Sequence, residues 1–191
     1  MSKKKTNTFE IFSRKFTPRI DRVLVEYFDR KIGATKGIRR ELYRDLKEYC
    51  TREGKRIRPL IFLAGYIEYS RGRGKTGEAV KIAAALELMH SFLLIQDDII
   101  DRADMRRGKP ALHVIAAQKY ARFSKNASLG SDVAIVMADI LFSLALEIIA
   151  SANFGGAVKD SFFRLFSETY ERTAYGQILD VLYSRPESLP P

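Results

Sequence analysis

Asp97 and Asp101 stand four residues apart in the stretch LELMHSFLLIQDDIIDRADMRRGKP, with Arg106 and Arg107 just beyond. At about 100° per residue, an α-helix puts both carboxylates on one face, with His90 within about 20° of each. A polar stripe of His90, Asp97 and Asp101 would then run along an otherwise apolar helix. Like charges at i and i+4 weaken a helix by about 0.2–0.5 kcal/mol, so the pair gains from a neutralising cation. Mg²⁺ is commonly held by one or two carboxylates plus substrate phosphates. Acid for a hard metal, base for phosphate and apolar residues beneath suit a diphosphate bound through Mg²⁺ with its hydrocarbon tail buried. A solvated acidic face, or ion pairs with Arg102 and Arg106, would leave the same pattern.

A second group of cations lies in GKRIRP, residues 54–59. Pro59 suits the first turn of a helix, where its missing N–H costs nothing. A helix N-terminus presents unpaired N–H groups and partial positive charge. Lys55, Arg56 and Arg58 beside it would complete an anion site, the arginines giving forked contacts to phosphate oxygens. A basic surface turn is the plainer reading of the same residues. His90 would equally serve as a hydrogen-bonded histidine inside a helical bundle, and His113 has no comparable support.

These groups must be positioned by helices. Phe12, Phe16, Ile20, Val23, Leu24, Tyr27 and Phe28 recur at helical spacing and predict a helix over residues 9–31. Gly33 to Gly37 interrupts the pattern. Further helices are expected over 38–50, from Pro59 to about 69, over 78–103, over 132–151 and over 157–183, with turns around RGRGKTG and residues 124–131. No alternating β pattern of useful length occurs. The expected class is all-α, an antiparallel helical bundle joined by short connections. Residues 1–8 read as a disordered basic tail, and 9–191 as one helical domain.

The bulk composition narrows the function. The 191 residues are 46% hydrophobic and include a single cysteine, Cys50. An intrachain disulfide and a Cys/His zinc cluster are therefore excluded, and a reducing cytoplasm is expected. The basic N-terminus lacks the apolar core of a signal peptide. Residues 133–150 are apolar enough to raise a membrane span, but Asp139 and Glu147 would be costly in lipid. They are expected to form a core helix, and no transmembrane segment is predicted. A net charge of +10 suggests an anionic partner, though a solvated basic surface would carry the same charge. Aromatic residues do not interleave with the basic ones as in single-strand binders, so no nucleic acid is expected.

In combination the motifs resemble the trans-polyprenyl diphosphate synthases. GKRIRP resembles that family's G-K-R-x-R-P loop, and DDIIDRADMRRGKP its first aspartate-rich motif followed by R-R-G. His90 stands where the family carries a histidine or glutamine. SDVAIVMADILFSLA resembles the G-D-x-L helix, with Ala138 in place of the usual glycine. YGQILDVLY resembles the G-Q-x-x-D helix through Gly176, Gln177 and Asp180. The matches span residues 54–183 in the family's order.

The resemblance implies a bundle of the isoprenoid synthase type and a Mg²⁺-dependent condensation of isopentenyl diphosphate with an allylic diphosphate. Asp97 and Asp101 would ligate Mg²⁺ on the allylic diphosphate, and Arg106 would contact that diphosphate. Lys55, Arg58, His90 and Arg107 would hold isopentenyl diphosphate. Gln177 would support the allylic site, and Asp180 the metal shell. Phe92, five residues before Asp97, stands where the family often carries an aromatic floor, and Leu93 lies one turn below Asp97. That arrangement resembles archaeal geranylgeranyl diphosphate synthases, implying a C20 product. Helical geometry puts Phe92 off the aspartate stripe, so a plain core role stays open. The resemblance also implies a homodimer, or a partner for a longer synthase.

The family's second aspartate-rich motif does not occur among these residues. The resemblance is therefore to the N-terminal part of such a synthase, and the 191 residues by themselves are expected to be weakly active or inactive. Two other readings share the same features. One is a catalytically incomplete partner subunit of a full-length synthase. The other is a basic helical module that binds anionic surfaces.

Overall fold

A computed structural model describes residues 8–184; of the tail expected over residues 1–8, residues 1–7 lie outside the described residues, and Thr8 instead begins the first helix. Seven helices are present: α1 (Thr8–Gly33), α2 (Gly37–Cys50), α3 (Ile57–Tyr69), α4 (Thr76–Ile100), α5 (Leu112–Tyr120), α6 (Leu129–Ser151) and α7 (Gly156–Tyr183). A two-stranded hairpin, β1 (Met105–Arg106) and β2 (Lys109–Pro110), follows α4. The described residues fall into two compact units that divide between Ala152 and Asn153.

In the first unit α4 is the central helix and packs against α6, α3 and α1, while α5 lies on α6. The hydrophobic spacing explains the arrangement. Phe16, Ile20, Leu24, Tyr27 and Phe28 form the buried stripe of α1, one residue in three or four. On α4, by contrast, Ala79, Val80, Ile82, Ala83, Ala84 and Ala85 are all buried, as expected of a helix covered on several sides. Leu60, Leu63, Leu88, Ile95, Leu141 and Ile149 are almost fully buried. Each contributes about 1.5–3 kcal/mol of hydrophobic stabilisation relative to exposure. Gly130 lets α5 and α6 approach closely: a Cβ there would lie 2.4 Å from the His113 carbonyl oxygen and 2.7 Å from the Ala117 Cβ.

Among the described residues, α6 alone is long and apolar enough to cross a membrane. It serves instead as a core helix, with Ala134, Met137, Ala138, Leu141, Leu144 and Ala145 buried. Its Glu147 pairs with Lys31 of α1 at 2.5 Å.

Several boundaries differ from expectation. The helix expected from Pro59 begins at Ile57, which brings Arg58 into its first turn. The helix expected over 78–103 ends at Ile100. The Ala103 N–H bonds to the Asp98 carbonyl at 2.8 Å and the Arg102 N–H to that of Ile99 at 3.3 Å. This is a Schellman closure in which Arg102, at φ 54°, takes the left-handed position usually given to glycine. The hairpin and α5 were not expected. Arg107 and Gly108 both have positive φ, the requirement of a tight two-residue hairpin turn that matches strand twist.

The second unit is dominated by α7. Phe162, Phe166 and Tyr170 stack at i, i+4 spacing, with ring centroids 6.2 and 6.4 Å apart.

Candidate diphosphate site

The stripe read from the sequence exists on α4. His90 and Asp97 are half-buried and Asp101, the C-cap residue, is exposed. The Asp101 N–H bonds the Asp97 carbonyl at 2.8 Å, so helical register holds through the cap. Asp97, Asp98 and Asp101 therefore cluster at the negative end of the helix dipole, and the last turn holds no basic residue. Compensating charge comes from the hairpin.

Arg106 donates through Nε to Asp98 Oδ1 at 2.6 Å, and its Nη2 bonds the same oxygen. The Tyr49 hydroxyl donates to Asp98 Oδ2 at 3.1 Å. Asp98 is fully buried, so these bonds replace the water it has lost. The hydrogen bond to Asp98 holds the Arg106 pKa above its ordinary value. Burial, then the neighbouring Asp98 charge, does the same for the Tyr49 hydroxyl.

The basic loop closes onto the same helix about two turns before Asp98. Arg58 Nη1 lies 3.3 Å from His90 Nε2. Arginine can only donate, so this contact needs an unprotonated Nε2 and places the ring proton on Nδ1. Burial, and then the Arg58 charge, lowers the His90 pKa to about 4.

Glu87, one turn before His90, is buried and accepts from Arg56 Nη1 at 2.6 Å and from Arg107 Nη2 at 3.1 Å. Arg56 also donates to Asp21 at 2.9 Å and to the Arg52 carbonyl at 3.0 Å. Burial works against its charge, but Glu87 and Asp21 outweigh that and keep its pKa raised. The Arg107 guanidinium packs on Gly54, where a Cβ would come within 3.1 Å of its central carbon. Arg52, itself buried, donates to the carbonyls of Arg106 at 3.2 Å and Pro110 at 2.9 Å, tying the hairpin to α2.

Of the residues singled out in the sequence, Arg58 and His90 meet directly. Arg107 lies against the GKRIRP loop at Gly54, and Lys55 is an exposed member of that loop. Arg106 lies at the aspartate end of α4. Phe92 is buried with its ring 5.5 Å from that of Phe142, at 60°, and Leu93 is half-buried. Gln177 and Asp180 are three residues apart on α7 in the second unit, Gln177 half-buried and Asp180 exposed. Glu87, Asp98, Arg52 and Tyr49 were missed. The signal that could have found Glu87 and Asp98 is an eleven-residue spacing, about 20° apart on one helical face.

Among the described residues no group of three or more His, Cys, Asp or Glu is placed to hold a metal ion. The donors at Asp97 and Asp101 are hard carboxylate oxygens, too few for an all-protein cage. They fit Mg²⁺ whose remaining positions are filled by phosphate and water.

The polyprenyl synthetase family model matches residues 39–190. The short chain isoprenyl diphosphate synthase of Methanothermobacter thermautotrophicus is 34% identical over 140 residues, covering 73% of this chain and 38% of that protein. The crystal structure of geranylgeranyl pyrophosphate synthetase from Pyrococcus horikoshii Ot3 aligns with a TM-score of 0.71 at 28% identity, covering 92% of this chain and 47% of that one. That of geranylgeranyl pyrophosphate synthase from Corynebacterium glutamicum, complexed with isoprenyl diphosphate and magnesium, aligns at 0.67 and 26% identity, covering 74% and 42%. The fold is thus the all-α antiparallel bundle of the isoprenoid synthases. The chain spans less than half the length of each of these proteins.

Proposed function

This chain belongs to the polyprenyl synthetase family, and on that premise we propose that it carries the diphosphate-binding half of a prenyltransferase that joins isopentenyl diphosphate to an allylic diphosphate. One observation supports this above others. Arg58 of the basic loop contacts His90 of the acidic stripe, so a polyanion held by one also faces the other.

Asp97 and Asp101 would hold Mg²⁺ against the allylic diphosphate. Bound there, the metal would offset the negative charge that grows on the departing pyrophosphate. Arg106, anchored by Asp98, would stand beside that diphosphate. Lys55, Arg58 and Arg107 would bind isopentenyl diphosphate. His90, kept neutral, orients Arg58 without adding a competing charge. The allylic C1–O bond breaks, the double bond of isopentenyl diphosphate attacks C1 to form a new C–C bond, and a proton is lost to the released pyrophosphate. The cation would need apolar surroundings that exclude water.

We assign a geranylgeranyl product, resting on Phe92 and Leu93 below Asp97 and on the solved relatives named above. We also assign a homodimer or a complex with a longer synthase. The cytoplasm is the compartment, where a lone buried Cys50 stays reduced. These 191 residues hold no second aspartate-rich motif, and we expect weak or no turnover from them by themselves. Calorimetric titration with isopentenyl diphosphate tests the reading. Binding that Arg58→Gln weakens at least about tenfold, roughly 1.4 kcal/mol, is expected. Equal affinity in the variant would refute it.

A further inference from the structure

Glu87 is 1% exposed, yet it faces two guanidinium groups rather than one. Arg56 reaches it from the loop before α3 and Arg107 from the hairpin turn. Both arginines have left-handed backbones, at φ 48° and 53°, a conformation that L side chains adopt rarely and only when their surroundings hold them there. Arg56 is the N-cap of α3. Its backbone therefore sets the direction in which Lys55 leaves and Arg58 enters the helix. Eleven residues further along α4, and about 20° round it, Asp98 performs the matching service for Arg106. The helix thus carries two buried carboxylates, one for each of the tandem hairpin arginines.

We propose that Glu87 is a positioning residue for the isopentenyl diphosphate site, where its carboxylate pins Arg56 and Arg107 and so fixes the basic loop and the hairpin arginine in one anion-binding geometry. Two guanidinium groups that converge this closely repel each other. The shared carboxylate removes that repulsion and leaves the outer face of Arg107, which is 19% exposed, turned to the site. Without it Arg107 keeps only the Arg52 carbonyl, at 3.4 Å, and Arg56 keeps Asp21 and that same carbonyl, so neither guanidinium retains a buried carboxylate. The inference rests on the reading above that Arg58 and Arg107 contact isopentenyl diphosphate.

The test is a double-mutant cycle in the full chain, read by calorimetric affinity for isopentenyl diphosphate. Glu87→Gln and Arg107→Gln are each expected to weaken binding about tenfold or more. The double variant is expected to lose clearly less than the product of the two single losses, because Glu87 acts in part through that arginine and otherwise through Arg56. Gly130→Ala, which loosens the α5–α6 crossing instead, is expected to leave this affinity within about threefold; a merely general loss of packing would lower the affinity in both variants. Should Glu87→Gln not fold by circular dichroism, Glu87→Asp replaces it, keeping the charge but withdrawing it by one methylene. Affinity unchanged in the Glu87 variant while Arg107→Gln loses tenfold would overturn the proposal, as would independent, multiplicative losses in the double variant. Absent binding by the unmodified chain, or an unaffected Arg107→Gln, would instead overturn the reading of the site itself.

Discussion

The protonation of His90 offers a direct view of the site, because the chain contains only two histidines. Burial and then Arg58 lower its pKa from 6.5 to about 4. At a separation of 3.3 Å two unit charges interact by about 1 kcal/mol in water and about 5 kcal/mol at an effective dielectric constant of 20. This ring is half-buried, so the lower end applies, corresponding to about one pH unit. Arg58→Gln should therefore raise the His90 pKa by about one pH unit and still leave it below 6.5, since burial is the larger cause. Bound isopentenyl diphosphate should raise it as well, by adding negative charge beside the ring. The sign for stability follows. The unfolded chain takes up the proton near pH 6.5 and the folded one only near 4. The native state is thus favoured above pH 6.5 and loses that advantage as the pH falls towards 4. The full interval corresponds to about 3 kcal/mol, and solvent screening reduces it to about 1–2 kcal/mol. Imidazole NMR titration with ¹⁵N-labelled histidine reads both values. An ordinary pKa near 6.5 in the unmodified chain, or its full restoration in Arg58→Gln, would refute the reasoning.

Other perturbations test the frame that holds the site. Asp98→Asn breaks a buried ion pair whose partner Arg106 is partly exposed, and should cost about 2–4 kcal/mol in chemical denaturation. A loss below about 0.5 kcal/mol would show that the pair does not anchor the hairpin. Gly130→Ala places a Cβ 2.4 Å from the His113 carbonyl oxygen. It should destabilise by about 1–3 kcal/mol, seen as a lower thermal midpoint, and an unchanged midpoint would contradict the close α5–α6 crossing. Phe92→Ala empties a core position against Phe142 and should cost about 3–5 kcal/mol. A negligible loss of stability would contradict the packing of Phe92 on Phe142.

The sequence made the polar stripe legible because periodicity is local: seven and eleven residues bring His90, Asp97 and Asp101 together on any α-helix. GKRIRP was legible as a loop and helix start for the same reason. The hairpin was not, since Arg107 rather than glycine or asparagine opens its turn. The end of α4 was set three residues too late because Arg102, not glycine, takes the left-handed cap position. Glu87 and Asp98 escaped notice for a different reason. A carboxylate in a buried stretch earns its place only through partners from distant segments, here Arg56, Arg107, Arg106 and Tyr49. Such partnerships are properties of the tertiary fold. The α5 segment, Leu112–Tyr120, is short and has few capping signals, and it is held by contact with α6.

In the proposed site, Asp97 and Asp101 bind a diphosphate through Mg²⁺. Calorimetric titration of the chain with a non-hydrolysable allylic diphosphate, with Mg²⁺ and again with chelator, tests it most directly. Binding at least about tenfold tighter with Mg²⁺ is expected, a gain of about 1.4 kcal/mol, with loss of that gain in Asp97→Ala and Asp101→Ala. Affinity indifferent to chelator, or unchanged in both variants, would contradict it.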